Sequence, residues 1–321
     1  GRADLAVHEL SERGARLVPQ GERLRDRTPL GSTFLEAGSY QLTLRRAEQR
    51  DIACPILIRA GREQILRIDL EQGGPDDGES LIAGGSAFVG GHESNPHARE
   101  RRLIDLAPFF LARFPVTFAE YLAFVADAQA RGDARAELHL PRTEDGDPYF
   151  RWDGTVFRGE RIARWGGALA VWPTLPVFGI PLGSALAYAA WMSEQSGRSY
   201  RLPSEWEWEK AARGVDGRPY PWGNRFDAAL CKMRESRPGP PSPEPAGTFA
   251  SDESPWGVRD LAGCIAEWVV AEAQEGERKP VSKGGAWCDW PTDCLAASRR
   301  VYRPDERSAR VGFRLARDLG R

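Results

Sequence analysis

Two short signatures, Thr117-Phe118-Ala119-Glu120 and Ser204-Glu205-Trp206-Glu207, constrain what this chain can fold into more than any other feature. In each, a hydroxyl three residues ahead of a carboxylate satisfies an unbonded N–H at a helix start while the carboxylate reaches back to another. The first opens a segment that places Tyr121, Phe124, Val125 and Ala128 on one face and stops at Gly132. The second opens the short helix WEWEKAARG, and a third helix runs from Ser184 through ALAYAAWM to Gly197. The rest of the region after residue 80 has only brief strand patterns among many Gly, Pro and Trp residues. The chain holds 34 Gly, 24 Pro and 11 Trp, so about half of that region is expected to be ordered loop pinned by aromatic burial. The Pro-rich piece at 237–245 reads as an extended surface loop.

The first 70 residues carry a different period. Tyr40, Leu42 and Leu44 alternate with polar residues, as do Ile56 and Ile58, and then Ile65 to Leu70 with Arg67 and Asp69 interposed; this is the pattern of half-buried antiparallel strands. Residues 71–80, EQGGPDDGES, have no period and many turn formers, and mark the expected boundary between a small β-rich unit at 1–75 and an α+β domain at 80–321.

No apolar run approaches the roughly 20 residues that cross a bilayer. The formal net charge of −2 gives no bulk attraction to nucleic acid or an anionic membrane. Five cysteines, at 54, 231, 264, 288 and 294, include no CxxC pair and fit a reducing, cytoplasmic setting. The chain begins at Gly1 without Met, which reads as part of a longer protein. The histidines at 8, 92, 97 and 139 lack the spacing of a metalloprotease helix, and His92 and His97 are expected on a surface loop. Neither GxSxG nor a Walker or GxGxxG sequence occurs.

From residue 80 onward the ordered series IAGGSAFVGG, PFFLARFPVTFAEYLAFV, PVFGIP, YRLPSEWEWEKAARG, YPWGN, GVRDLAGCIAEWV, KGGAW and VGFRLAR resembles the formylglycine-generating-enzyme, or sulfatase-modifying-factor, family. The resemblance covers about residues 80–318 and implies a C-type lectin-like fold with two helices, a small twisted sheet and long structured loops. The motif residues also have direct physical roles. Arg201 can pair with Glu205 or Glu207, Trp206, Trp208, Trp222 and Trp268 can fill the loops, and Gly284 and Gly285 permit backbone closed to other residues.

The family's oxidases bind copper through two cysteines that follow the Gly-Gly motif and convert a protein cysteine to formylglycine. Cys288 and Cys294 follow it here, yet the segment from Gly285 to Arg299 is shorter than in the oxidases and Ala286 stands where their serine is expected. Two thiolates converging in near-linear geometry are what copper(I) requires, so no copper is expected and the chain is read as non-catalytic. A disulfide between Cys288 and Cys294 would need Cα atoms within about 7 Å. The iron-dependent sulfoxide synthases of the superfamily carry extra histidines on an N-terminal helical bundle, whereas this N-terminal region is β-like and offers only His8. In DLAGCIAEW the family places a calcium ion, which would here take side-chain oxygens of Asp260 and Glu267 and carbonyls of Gly263 and Ile265; Cys264 replaces an asparagine. Such hard oxygen ligands on a tight loop suit calcium, although the carboxylates can instead pair with Arg259.

Residues 287–310, WCDWPTDCLAASRRVYRPDERSAR, combine aromatics and arginines on turn-rich backbone between rigid ends. Trp, Tyr and Arg dominate binding hot spots, so Asp289, Trp290, Asp293, Arg300, Tyr302, Arg303, Asp305 and Arg307 are the candidate ligand-binding residues for a protein or small-molecule partner. Trp287 and Arg314, inside the motifs, are expected in the core. A PEGA-like β unit followed by this domain resembles the C-terminal region of bacterial serine/threonine kinases; the fold also resembles the variable proteins of diversity-generating retroelements, which end their mutable segment near a GFR motif.

Overall fold

Alternation of apolar and polar residues builds the first sheet. Its strands β1 (Asp4–Arg13), β2 (Arg16–Arg27), β3 (Gly38–Arg45) and β4 (Ile52–Ile58) pair antiparallel in the order β2-β1-β3-β4. Leu5 lies opposite Leu44, Val7 opposite Leu42, and Leu42 opposite Cys54, so the register gathers their buried side chains on one face. The structure, a computed structural model, describes residues 2–47, 49–68, 75–91, 98–153, 157–159, 161–165, 168–271 and 280–319. The strand expected from Ile65 onward does not form over its described part, 65–68; Ile65 is 73% exposed, and β4 pairs with β3 alone. Alternation alone does not make a strand there. Residues 69 and 70, like His92 and His97, lie outside the described residues.

The chain then runs through β5 (Glu79–Ile82), the hairpin β6 (Gly85–Val89) and β7 (Arg102–Leu106), β8 (Phe109–Ala112) and α1 (Phe118–Ala130). After the helical turn α2 (Ala136–His139), the hairpin β9 (Arg151–Trp152) and β10 (Phe157–Arg158), and the turn α3 (Ala168–Val171) come α4 (Leu182–Ser196), β11 (Tyr200–Arg201) and α5 (Glu205–Arg213). The remaining strands are β12 (Ala266–Val269), β13 (Val281–Lys283), β14 (Arg299–Val301), β15 (Val311–Gly312) and β16 (Ala316–Asp318). A second sheet has the order β11-β16-β8-β5 and a third β14-β13-β12-β15, in which β12 and β15 run parallel.

Both capping boxes form. Thr117 N–H donates to Glu120 Oε2 at 2.7 Å and Ser204 N–H to Glu207 Oε2 at 2.7 Å, while each hydroxyl accepts from the carboxylate residue's own N–H. The middle helix starts at Leu182 behind Pro181, two residues before the expected Ser184, and ends on Gly197 at φ 70°. Ser184 is buried instead, its hydroxyl 3.0 Å from His139 Nδ1. Arg201 chooses Glu207, donating to both carboxylate oxygens at 2.7 Å, and Glu205 is left to Arg299 at 2.9 Å and Arg99 at 3.3 Å.

Three apolar clusters result, two of them large and a smaller one around Trp222. One large cluster wraps α1 and α4 with Phe118, Tyr121, Phe124, Tyr188, Trp268 and Phe313. The other is shared: the buried face of the first sheet (Leu5, Val7, Leu42, Ile56) joins Leu81, Phe109, Trp208, Ala211 and Trp256 of the larger domain in one cluster. Backbone pairing supports the seat, with Leu17 N–H donating to Trp222 O at 2.7 Å. The N-terminal sheet is thus packed on the larger domain, not tethered to it. Truncating Leu5 to Ala is expected to lower the stability of the whole chain by roughly 2–5 kcal/mol with one cooperative unfolding transition; calorimetry resolving two transitions, only one of them shifted, would contradict the shared core.

Candidate functional site

The loop expected to hold calcium is closed by a guanidinium. Arg314 is fully buried and bonds Glu267 bidentately, Nε to Oε2 and Nη2 to Oε1, each at 2.6 Å, and its remaining donors reach the carbonyls of Ala112, Arg113, Arg259 and Asp260. Trp208 Nε1 donates to the same carboxylate at 2.7 Å. Asp260 Oδ2 accepts from Gly247 N at 2.6 Å, and Gly263 O accepts from Ile265 N at 2.7 Å. The Asp260 and Glu267 side chains are therefore committed to protein donors, and the internal cation beside them is Arg314; a carboxylate pair so engaged does not fit a calcium ion, which takes six to eight oxygens. The loop does carry backbone strain, since Asp260 and Cys264 both adopt positive φ, 59° and 65°.

Beside it, Asp252 is buried with its Oδ2 accepting from Ala262 N at 3.0 Å and its Oδ1 unpartnered. Burial, and then the neighbouring Asp260, push the Asp252 carboxyl up to about 8; burial pushes Asp260 up to about 6. Asp252 is therefore held largely protonated at neutral pH, which limits the charge that the loop must balance.

The segment 287–310 divides into scaffold and display. Three residues expected to contact a ligand belong to the scaffold. Asp289 is 2% exposed, with Oδ2 accepting from Ala286 N at 3.0 Å and Oδ1 in an ion pair with Arg310. The Tyr302 ring packs edge-on against Trp268 at 4.9 Å, burying its hydroxyl beside Ser282 and Arg300 and raising its pKa. Arg307 donates to the carbonyls of Leu138, Leu140 and Gly179 at 2.8–3.1 Å, tying the segment to the loop after α1. In each case a polar or aromatic group found a partner inside a turn-rich loop, so residue type alone misjudged its side. Trp287, as expected, is buried, with Nε1 donating to Ala309 O at 3.0 Å.

The display face holds Trp290, 52% exposed, with the Arg234 guanidinium 4.6 Å above its ring. Arg303 and Asp305 are also exposed, and Asp293 and Arg300 are half-buried and paired at 3.3 Å. Sequence reasoning missed Val301, 48% exposed at the end of β14, and Arg234, which arrives from a segment more than fifty residues away and gave no local signal.

Cys288 and Cys294 lie in different surroundings. Cys294 is fully buried and its thiol meets that of Cys231 in a cluster with Tyr220, Trp222 and Met233. Cys288 is half-buried, packs against the other core and faces Arg310 and Arg234. Burial raises both the Cys288 and the Cys264 thiols. Among the described residues no group of three or more His, Cys, Asp or Glu could hold a metal ion. No helix among them is long and apolar enough to cross a membrane.

Residues 69–319 match the sulfatase-modifying factor enzyme 1-like domain. The chain belongs to this family. Its similar members include the inactive C-alpha-formylglycine-generating enzyme 2 of Mus musculus, 29% identical over 273 residues covering 75% of this chain and 85% of that one. The formylglycine-generating enzyme of Thermomonospora curvata is 26% identical, with 75% and 93% covered. The serine/threonine-protein kinase pkn1 of Chlamydia pneumoniae is also 26% identical, over 74% of this chain but only 38% of its own length. Among solved structures, PvdO from Pseudomonas aeruginosa superposes with a TM-score of 0.58 at 23% identity, covering 81% of this chain and all of that one. The fold is thus that of the sulfatase-modifying factor domain, a family with both catalytic and non-catalytic members.

The raised Asp252 and Asp260 set the sign of a pH dependence. Groups whose folded pKa exceeds the unfolded one stabilise at low pH, and that contribution is lost as pH rises through the folded value. The melting temperature is expected to fall as pH rises from about 4 to about 8, the Asp260 contribution being lost by about 6 and the Asp252 contribution by about 8. Asp252→Asn should flatten the upper part of that fall; a profile unchanged in the variant would show that another group is responsible. Calcium added to chelator-treated protein should shift the melting temperature by less than about 1 °C, because only ligands that bind the folded state stabilise it.

Proposed function

We propose that this domain is a non-catalytic binding module that presents Arg234, Trp290, Val301, Arg303 and Asp305 to a protein or small-molecule partner. The observation that carries the reading is the exposed Trp290 capped by Arg234, on a segment whose neighbours Asp289, Tyr302 and Arg307 are fixed in the scaffold. An amphipathic ring and a planar cation held in place lose little conformational entropy on binding, which is the character of a hot spot.

Cys288 and Cys294 pack in different clusters, and the Cys294 thiol is in contact with Cys231, which argues against copper oxidase chemistry. No calcium is assigned to the loop, because Arg314 supplies its positive charge. Two settings suit a displayed surface of this kind. One is the sensor region of a bacterial serine/threonine kinase, a reading supported by the similarity to pkn1. The other is a variable protein diversified by a retroelement, which a near-identical repeat and a reverse transcriptase beside the gene would support and their absence would remove.

Two measurements test the module reading. Copper-loaded protein incubated with a cysteine-containing peptide should leave that cysteine unchanged by mass spectrometry; formylglycine in the product would overturn the non-catalytic assignment. Replacing Trp290, Val301, Arg303 or Asp305 with Ala should change stability by less than about 1 kcal/mol, as for surface positions. Asp289→Ala, which strands Arg310, should cost roughly 2 kcal/mol or more.

A further inference from the structure

The two buried thiols that the binding reading leaves unused lie side by side. Cys231 and Cys294 are both fully buried, and each belongs to the cluster formed by Tyr220, Trp222, Met233, Ala262 and Leu295. Contact with Cys231, followed by burial, raises the Cys294 thiol well above its ordinary value. The position of Cys294 is fixed by backbone on both sides. Its N–H donates to Pro291 O at 3.2 Å, and a Cβ on Gly285 would come within 2.7 Å of its sulfur, so glycine is required there. Cys231 is held from the opposite side, where Ser236 Oγ donates to its carbonyl at 2.6 Å.

The segments that carry the two cysteines also carry the two halves of the exposed platform. Three residues after Cys231 stands Arg234, whose N–H donates to Asp289 O at 3.2 Å and whose guanidinium covers Trp290; four residues after Trp290 stands Cys294. We propose that Cys231 and Cys294 are a redox-responsive pair whose disulfide staples the Arg234 segment to the Trp290 turn. The oxidant is a low-molecular-weight disulfide. One cysteine thiolate attacks a sulfur of that molecule and expels one small thiol; the other then attacks the mixed disulfide and expels the second. The products are the Cys231–Cys294 bond and two small thiols, the proton lost by each cysteine being taken up by a departing small thiolate. Because both sulfurs are buried, reaction requires the turn from Trp290 to Cys294 to open, and its rate reports that opening. Cys288 and Cys264 offer no comparable route, since the disulfide depends on a thiol already in contact.

The bond is independent of what the platform binds; a consequence for affinity rests on the binding reading above. The test uses the whole chain, reduced, then incubated below its melting temperature with oxidised glutathione. Intact mass should fall by two hydrogens, peptide mapping without reductant should recover one linked pair containing Cys231 and Cys294, and the melting temperature should rise by roughly 5–10 °C as residues 232–293 become a closed loop. Cys288→Ser should still lose the two hydrogens, and Cys231→Ser should not. A glutathione adduct confined to Cys288, a link between any other two cysteines, or no change of mass under native conditions would each overturn the proposal. If the linked peptide appears while Trp290→Ala leaves partner capture intact, the redox pair stands and the binding assignment fails.

Discussion

The buried pairing of Arg314 with Glu267 is the constraint on which the rest of the domain depends. Glu267 lies on β12 and Arg314 just beyond β15, so the bidentate bond locks the one parallel strand pair of the third sheet. Trp208 brings α5 to the same carboxylate, and the other guanidinium donors close the ends of β8 and the loop before β12. Removing either charge would strand the other in the interior at a cost of roughly 3–5 kcal/mol. A loop-rich domain with short strands has few repeated backbone bonds to rely on, so a five-donor side chain stands in for a missing piece of sheet.

Much of the fold was legible because its signals are local. The boxes at Thr117 and Ser204 need only four residues each, and both form as expected. The sheets were harder. The run from Ile65 alternates as cleanly as β3 does, yet it meets no edge, and β1 and β2, with their many charges, carry the pairing instead. The segment read as a binding surface splits residue by residue: Trp290, Arg303 and Asp305 face outward, while Asp289, Tyr302 and Arg307 found partners contributed by distant carbonyls, amides and rings. Those partners are invisible to a linear reading because they are set by tertiary approach. Arg234 shows the same limit in reverse, entering the surface from a separate loop.

Scaffold and display are mixed residue by residue within 287–310, not arranged as a rigid block carrying a free loop. Buried stretches such as 294–298 and Tyr302 alternate irregularly with outward ones such as Trp290 and 303–305, so several surface side chains can vary without loosening the backbone that holds them. The cysteines follow the same division. Cys294 serves the interior with Cys231, whereas Cys288 packs against a different core.

The shared core beneath the N-terminal sheet has a consequence for how the molecule can be divided. Leu81, Phe109 and Trp256 are kept from water partly by Leu5, Val7 and Leu42. A lectin-type domain begun at residue 80 would bare a contiguous apolar face, the kind of surface that drives self-association in solution. The small sheet therefore acts as the larger domain's solubilising lid, and two units that differ in sequence character form one inseparable body.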